Sequence, residues 1–205
     1  MELPFTRAEF FAVFASYNDA VWPAQIAIAG AALAAVRAAW TGRSGAATWL
    51  LALLWAWMGV VYHWAFFQRV NPAAALFGAV FLAEAALLAG AAMGKRVPFE
   101  AMGGWRGAAG WALVAFAAVM YPIWGLATGH EPRELPVLGV PCPTTILTLG
   151  LLFWVPGGPP RRLLVIPVLW SLVGGSAAFI LGVPQDLGLL VAGALAAILF
   201  RRPAG

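Results

Sequence analysis

The chain has 205 residues, of which 63% are hydrophobic and 10% charged, and a soluble domain of this size cannot bury so much apolar surface because water must wet its exterior. The composition therefore excludes an ordinary soluble protein and predicts an integral membrane protein. The excess of 12 Lys and Arg over 8 Asp and Glu falls in short clusters between apolar stretches, with no continuous basic stripe, so we expect no nucleic-acid partner.

The first predicted element is a short amphipathic helix within residues 1–18. Thr6 and Glu9 have the identity and spacing of a capping box, which marks a helix N-terminus. The apolar residues that follow predict an interfacial helix on the outer leaflet, and Asn18 or Asp19 is expected to cap the span after it. A lid over an outward-facing cavity is the alternative for this helix.

Seven apolar stretches follow, and most approach the roughly 20 residues that cross about 30 Å of hydrocarbon. Residues 1–205 therefore predict one all-α integral membrane domain, a polytopic seven-transmembrane helix bundle over 19–205. The seventh stretch is short for a full span. In chain order the stretches are Ala20–Trp40, Thr48–Phe67, Pro72–Met93, Trp105–Trp124, Leu135–Trp154, Arg161–Leu181 and Leu187–Phe200.

The basic residues give this pattern an orientation. Nine of the twelve Lys and Arg residues lie near the junctions that follow the first, third and fifth stretches or in the C-terminal tail. Positively charged loops stay in the cytoplasm, so we expect the N-terminus in the periplasm and the C-terminus inside. The richness in Ala, Gly and Arg suits the bacterial cytoplasmic (inner) membrane, with the lipid bilayer as the surrounding partner.

The fifth stretch is interrupted. Three prolines and a glycine fall within residues 136–143, and a continuous helix cannot lose so many amides. We expect an extended or re-entrant segment over Leu135–Pro141, then a half-helix from Pro143 with Cys142 near its cap. Broken spans of this kind mark ligand sites in transporters, whereas an outer loop that dips and caps a short span is the alternative.

Polar side chains from four predicted spans share one depth. At about 1.5 Å per residue they lie about 21 to 24 Å above the inner face. Because polar groups are costly in lipid, we expect them to face inward and meet. The predicted ligand-binding residues are Gln25, Tyr62, His63, Tyr121 and Cys142, joined by Thr144 and Thr145, whose amides point from the N-terminus of the half-helix.

Glu84 lies deeper, below the predicted midplane, where a carboxylate predicts a proton or cation relay. A protonated carboxyl bonded to a backbone carbonyl is the structural alternative. No cofactor is predicted, but a soft metal ion bound by His63 and Cys142 remains open, as does an ordinary packed role for each. The single cysteine excludes an intramolecular disulfide and a CxxC metal site.

Several chemistries are excluded by missing residues. The only lysine, Lys95, lies in a predicted cytoplasmic loop, so no retinal Schiff base forms in the bundle. The chain has no HExxH, GxSxG or phosphate-loop motif, and nothing favours an enzyme. Two functions remain: an outward-facing intramembrane pocket that binds or transports a small solute, proton or metal ion, or a non-catalytic accessory subunit of a membrane complex. A homo-oligomer is compatible with either function.

Three strings spread over nearly the whole chain form a recognisable set. They are Tyr17-Asn18 with Val21-Trp22-Pro23, Tyr62-His63-Trp64 running to Asn71-Pro72-Ala73-Ala74, and Gly139-Val140-Pro141-Cys142-Pro143-Thr144-Thr145. Together they resemble an uncharacterised family of small bacterial multi-span membrane proteins, a domain of unknown function. The resemblance implies a single-domain membrane fold and carries no activity, substrate or site residue.

Overall fold

The computed structural model describes residues 3–201, with side chains to Leu199. This part of the chain is helical, with one isolated β-bridge between Leu138 and Val140, which confirms the predicted all-α class. Two helices contain π-helical turns, over Met58–Phe66 and Phe116–Met120. The helices are α1 (Arg7–Val21), α2 (Ala24–Trp40), α3 (Ser44–Arg69), α4 (Ala74–Met93), α5 (Gly104–Ala127), α6 (Pro141–Leu152), α7 (Arg162–Ile180) and α8 (Pro184–Ala197).

Four helices, α3, α4, α5 and α7, are long and apolar enough to cross a membrane. The bent pair α1 and α2, whose axes turn by 96° at the Trp22-Pro23 break, passes the same test if it is counted as one span. The apolar helices α6 and α8 are shorter. By length and composition, residues 3–201 therefore contain four or five candidate spans.

The first helix begins as its sequence predicts. The Thr6 hydroxyl accepts a hydrogen bond from the Glu9 amide at 3.2 Å, and the Glu9 carboxylate accepts one from the Thr6 amide at 2.8 Å. The apolar face of α1 packs on protein, and its position relative to a membrane stays a prediction. Its buried residues are Phe10, Phe11, Val13, Phe14, Tyr17 and Val21.

Asn18 fastens α1 to the segment that precedes α6. Its side-chain amide donates to the carbonyls of Arg133 at 2.7 Å and Leu135 at 3.0 Å. The predicted cap at Asn18 or its neighbour is therefore wrong, because α1 continues to Val21. The apolar stretch predicted from Ala20 is divided by the bend, after which α2 begins at Ala24.

The connecting segments alternate between the two ends of the bundle. At one end, the Phe99 amide donates to the Ser44 hydroxyl at 2.7 Å and the Glu100 amide donates to the Trp154 carbonyl at 2.9 Å. The segments after α2, α4 and α6 therefore lie together, and we call this the basic end because most Lys and Arg residues fall there. The other end, the α1 end, gathers α1, the α3–α4 turn, the segment before α6 and the α7–α8 turn.

The short helix α6 forms the centre of the bundle. Every residue from Pro143 to Leu152 is buried, against α2, α5, α7 and α8. Glycines allow α5 and α6 to approach closely, since a Cβ atom on Gly110 would lie 2.8 Å from the Gly150 carbonyl oxygen. The helix starts at Pro141, two residues before the predicted start.

Candidate functional site

A cavity lies at the α1 end, directly beneath α1. The space open to the centre of a water molecule is about 160 Å³, which accommodates several waters or a small organic molecule. Its walls are mainly aromatic and aliphatic, and its polar groups are few. The aromatic residues are Phe5, Phe10, Phe14, Tyr62, Phe67, Phe77 and Trp170, and the polar lining comes from Asn71, Cys142, Ser176 and Asp186.

Asp186, Tyr121 and Cys142 form a polar cluster at the cavity floor. The Asp186 carboxylate, in a residue that is 1% exposed, accepts a hydrogen bond from the Tyr121 hydroxyl at 2.5 Å. The Cys142 thiol contacts both groups. Asp186 directly precedes the α-helical turns of α8, where an acidic side chain ordinarily caps the helix, but it makes no side-chain capping bond. Its carboxylate is instead held at the cavity.

A turn at Gly139 places Cys142 at this floor. Gly139 has φ +103°, a conformation that favours glycine. The Gly139 amide donates to the Thr144 hydroxyl at 2.8 Å, and its carbonyl accepts from the Tyr17 hydroxyl at 3.3 Å. The Trp57 indole in turn donates to the Tyr17 hydroxyl at 2.7 Å. Side chains from α1, α3 and α6 thus fix the segment that leads into α6.

The structure brings only part of the predicted set together. Tyr62 and Cys142 line the cavity, and Tyr121 bonds to the acidic group at its floor. Gln25 does not line the cavity: its side-chain amide donates to the Leu138 carbonyl at 2.7 Å. Gln25 therefore supports the segment before α6, although it shares the predicted depth.

The first turn of α6 offers fewer free amides than expected. Pro141 and Pro143 have no N–H, and the Thr144 amide donates to the Val140 carbonyl at 3.3 Å. The Thr144 amide is therefore already bonded, and the prediction that the amides of Thr144 and Thr145 point toward the site stays a prediction. Thr145 is fully buried, and its hydroxyl has no hydrogen-bond partner.

His63 lies behind the aromatic wall. Its ring centroid is 4.6 Å from that of Phe81 and 5.3 Å from that of Trp170, and neither ring nitrogen has a hydrogen-bond partner. Trp170 also contacts the Cys142 thiol. The indole therefore contacts both residues, and the His63 ring nitrogens make no hydrogen bond to the Cys142 thiol, although the shared depth predicted that the two residues meet.

Glu84 is buried in α4, away from the cavity lining. It has no exposed surface, and neither carboxyl oxygen has a hydrogen-bond partner. The alternative of a carboxyl bonded to a backbone carbonyl is thus not observed. Glu84 lies one helical turn beyond Phe81, on the face that packs against α3.

The described residues show no cluster of the side chains that usually bind a soft metal ion. Within residues 3–201, no group of three or more His, Cys, Asp or Glu side chains could hold a metal. His63 and Cys142 each contact Trp170. The geometry therefore gives no support to a metal ion bound jointly by His63 and Cys142, which the sequence left open.

The sequence reasoning missed Asp186 and Trp170. A usable signal was present, since Val183-Pro184-Gln185-Asp186 is short and runs directly into an apolar stretch. An acid at that position begins a helix and lies close to the bundle.

Comparison with known proteins places the chain in a family but assigns no activity. No curated protein and no solved structure matches it. A family model, described as a family of unknown function (DUF6064), matches residues 7–204. This agrees with the resemblance carried by the three sequence strings. The chain belongs to the family of unknown function DUF6064.

Proposed function

We propose that this protein is a multi-pass membrane protein that binds a small, mainly apolar molecule in the cavity beneath α1. The cavity itself, with about 160 Å³ of space between aromatic walls and one polar cluster, is the observation that carries the proposal. Small-molecule sites are concave, mostly apolar, and equipped with a few polar groups that orient the ligand. A bare proton or metal ion needs no such apolar volume.

We place the basic end in the cytoplasm and α1 on the periplasmic side of a bacterial inner membrane. The alternation of connecting segments between the two ends supports seven antiparallel crossings by α2 to α8. Seven of the chain's twelve Lys and Arg residues lie at the basic end within the described part of the chain, and this concentration supports the orientation. They are Arg37, Arg43, Lys95, Arg96, Arg106, Arg161 and Arg162. The 12 residues of α6 cover only about 18 Å, and the extended residues 135–140 complete that crossing. The ligand then arrives from the periplasm or the outer leaflet.

The helix α1 serves as the roof of this site. Its C-terminal half is held by hydrogen bonds from Asn18 and Tyr17. Its N-terminal half contributes Phe10 and Phe14 to the cavity, where the contacts are apolar rings. We therefore expect the N-terminal half to move when ligand enters, because apolar contacts lack the fixed geometry of hydrogen bonds.

Proton-coupled transport is a second candidate function, and the unpartnered Glu84 carboxyl favours it. A buried ionisable group inside a membrane segment is costly and marks ion or proton pathways. In proteoliposomes, Glu84→Gln should abolish any pH-driven solute uptake while leaving binding in the cavity intact. Uptake by Glu84→Gln at the wild-type rate would contradict the relay.

The binding proposal is tested with 2-phenylethanol, a small neutral aromatic alcohol, as the probe. A ligand at about 100 times its Kd stabilises the folded state by about 2.7 kcal/mol. Ala177→Trp fills the cavity, since Ala177 lines it. Leu172→Trp is the matched control, because Leu172 is 62% exposed on the same helix and lies outside the lining.

Thermal unfolding in detergent gives the readout. We expect 2-phenylethanol to raise the Tm of the wild type and of Leu172→Trp equally, by several degrees, and to leave the Tm of Ala177→Trp nearly unchanged. Equal shifts in all three proteins would mean that the probe acts through the micelle, and would remove the proposal.

A further inference from the structure

We infer that the ligand of this cavity carries a positive charge, so that the site selects a small organic ammonium ion. This inference deepens the proposed function and rests on it. Three observations support it: the charge balance of the lining, the direction of the Asp186 carboxylate, and the aromatic walls.

The cavity lining has one acidic side chain among the residues the structure describes, that of Asp186, and contains no Lys, Arg or His. A buried carboxylate is costly unless a cation or several donors compensate it. Its bonding partners, the Tyr121 hydroxyl and the Cys142 thiol, are neutral. No Lys or Arg among the described residues forms an ion pair with Asp186. The protein therefore places no positive charge beside Asp186, and a cationic ligand can supply one.

The position of Asp186 has no sufficient explanation in helix capping. It directly precedes the α-helical turns of α8, Leu187–Ala197, but makes no side-chain capping bond. The positive end of the helix dipole still favours a negative charge there, and so does the hydroxyl that Tyr121 donates. A bound cation stabilises the ionised carboxylate more strongly than either of these groups, so Asp186 is ionised when the site is filled.

Aromatic rings complete a surface suited to cations. Tyr62, Phe67, Phe77 and Trp170 all line the cavity, and their ring faces carry partial negative charge that attracts ammonium groups. The remaining aliphatic wall suits an apolar body. A small alkyl or aryl ammonium ion therefore meets every part of the lining, whereas an anion would face Asp186 without a counter-charge.

Cys142, the only cysteine in the chain, provides a direct test because its thiol contacts Asp186. Three methanethiosulfonate reagents differ in charge: trimethylammonioethyl is cationic, sulfonatoethyl is anionic and methyl is neutral. In each reaction the Cys142 sulfur forms a new S–S bond, the S–S bond of the reagent breaks, methanesulfinate leaves, and the thiol proton passes to buffer. Intact-protein mass spectrometry follows the rates, which are normalised to those of a free thiol.

We expect the cationic reagent to react at least about tenfold faster than the anionic one after normalisation, a difference of about 1.4 kcal/mol. Asp186→Asn should return this ratio to near one. Glu131→Gln is the matched control, since Glu131 is an exposed acid at the same end, and it should keep the wild-type ratio. A wild-type ratio near one, or an equal loss in Glu131→Gln, would overturn the inference.

Reversible ligands give an arm that needs no variant, so it stands even if Asp186→Asn fails to fold. Phenethylammonium should protect wild-type Cys142 from the neutral reagent at about a tenfold lower concentration than 2-phenylethanol does. Equal protection by both compounds overturns the charge inference and leaves cavity binding in place. Protection by neither overturns the inference and the proposed function together.

Discussion

Tyr17→Phe tests the docking of α1 by removing a single oxygen atom. Tyr17 has no exposed surface. Its hydroxyl accepts from the Trp57 indole at 2.7 Å and donates to the Gly139 carbonyl at 3.3 Å. One hydroxyl thus joins α1, α3 and the segment before α6. Phenylalanine keeps the ring and its packing, so the substitution isolates the two hydrogen bonds.

The expected cost follows from these two bonds. A hydrogen bond contributes about 0.5 to 1.5 kcal/mol net, and a buried donor left without a partner costs about 1 to 3 kcal/mol. The substitution leaves the Trp57 N–H and the Gly139 carbonyl without this partner. We therefore expect Tyr17→Phe to lower the free energy of unfolding by about 2 to 3 kcal/mol.

Reversible unfolding in mixed dodecyl maltoside and SDS micelles, followed by circular dichroism, measures this loss. Ser16→Ala is the matched control, because Ser16 is the exposed neighbour on α1 and its removal should change stability by less than about 0.5 kcal/mol. A Tyr17→Phe protein as stable as Ser16→Ala would refute the docking of α1 on the bundle.

Three further perturbations test other parts of the structure. Gly110→Ala should lower the free energy of unfolding by about 1 to 3 kcal/mol, because the new Cβ would lie 2.8 Å from a carbonyl oxygen of α6. Gly30→Ala is the control and should be neutral, since no atom lies within 4 Å of its Cβ position. Equal stabilities of the two variants in micelle unfolding would contradict the close α5–α6 contact. Glu84→Leu should stabilise by about 1 to 3 kcal/mol, since it removes an unpartnered buried carboxyl, and a loss of stability would reveal a partner for that group. The hydrogen bond from the Thr6 amide lowers the pKa of the Glu9 carboxyl below its ordinary value of 4.5. The capping box therefore stabilises α1 fully above pH 4.5, and this stabilisation is lost as the pH falls through the lowered pKa. The NMR chemical shifts of the first turn of α1 should follow this titration in the wild type and not in Glu9→Gln.

Local signals in the sequence predicted local structure well. The capping box at Thr6 and Glu9 involves four consecutive residues, and it forms as expected. The break before α6 was also predictable, because Pro141 and Pro143 remove amides wherever they stand. The start of α6 shifted by two residues because proline is favoured in the first helical turn, so Pro141 lies within it.

Tertiary arrangement was less predictable, for identifiable reasons. The apolar face of α1 suits lipid and protein equally, so its residues alone did not show that it roofs a cavity. Equal depth constrains height and not direction around a helix, and so Gln25 shares the level of Tyr121 while bonding elsewhere. Asp186 lies in a short polar turn in the sequence, and only the fold of that turn against α5 and α6 brings its carboxylate to Tyr121 and Cys142.

The most direct test of a ligand cavity beneath α1 is the rate at which neutral methyl methanethiosulfonate modifies Cys142 in proteoliposomes. We predict one adduct per chain, formed at least about tenfold more slowly in Ala177→Trp, which fills the space, and at the wild-type rate in Leu172→Trp, which faces outward. The same rate in all three proteins, or no adduct on the wild type, would show that no reachable cavity exists at this position.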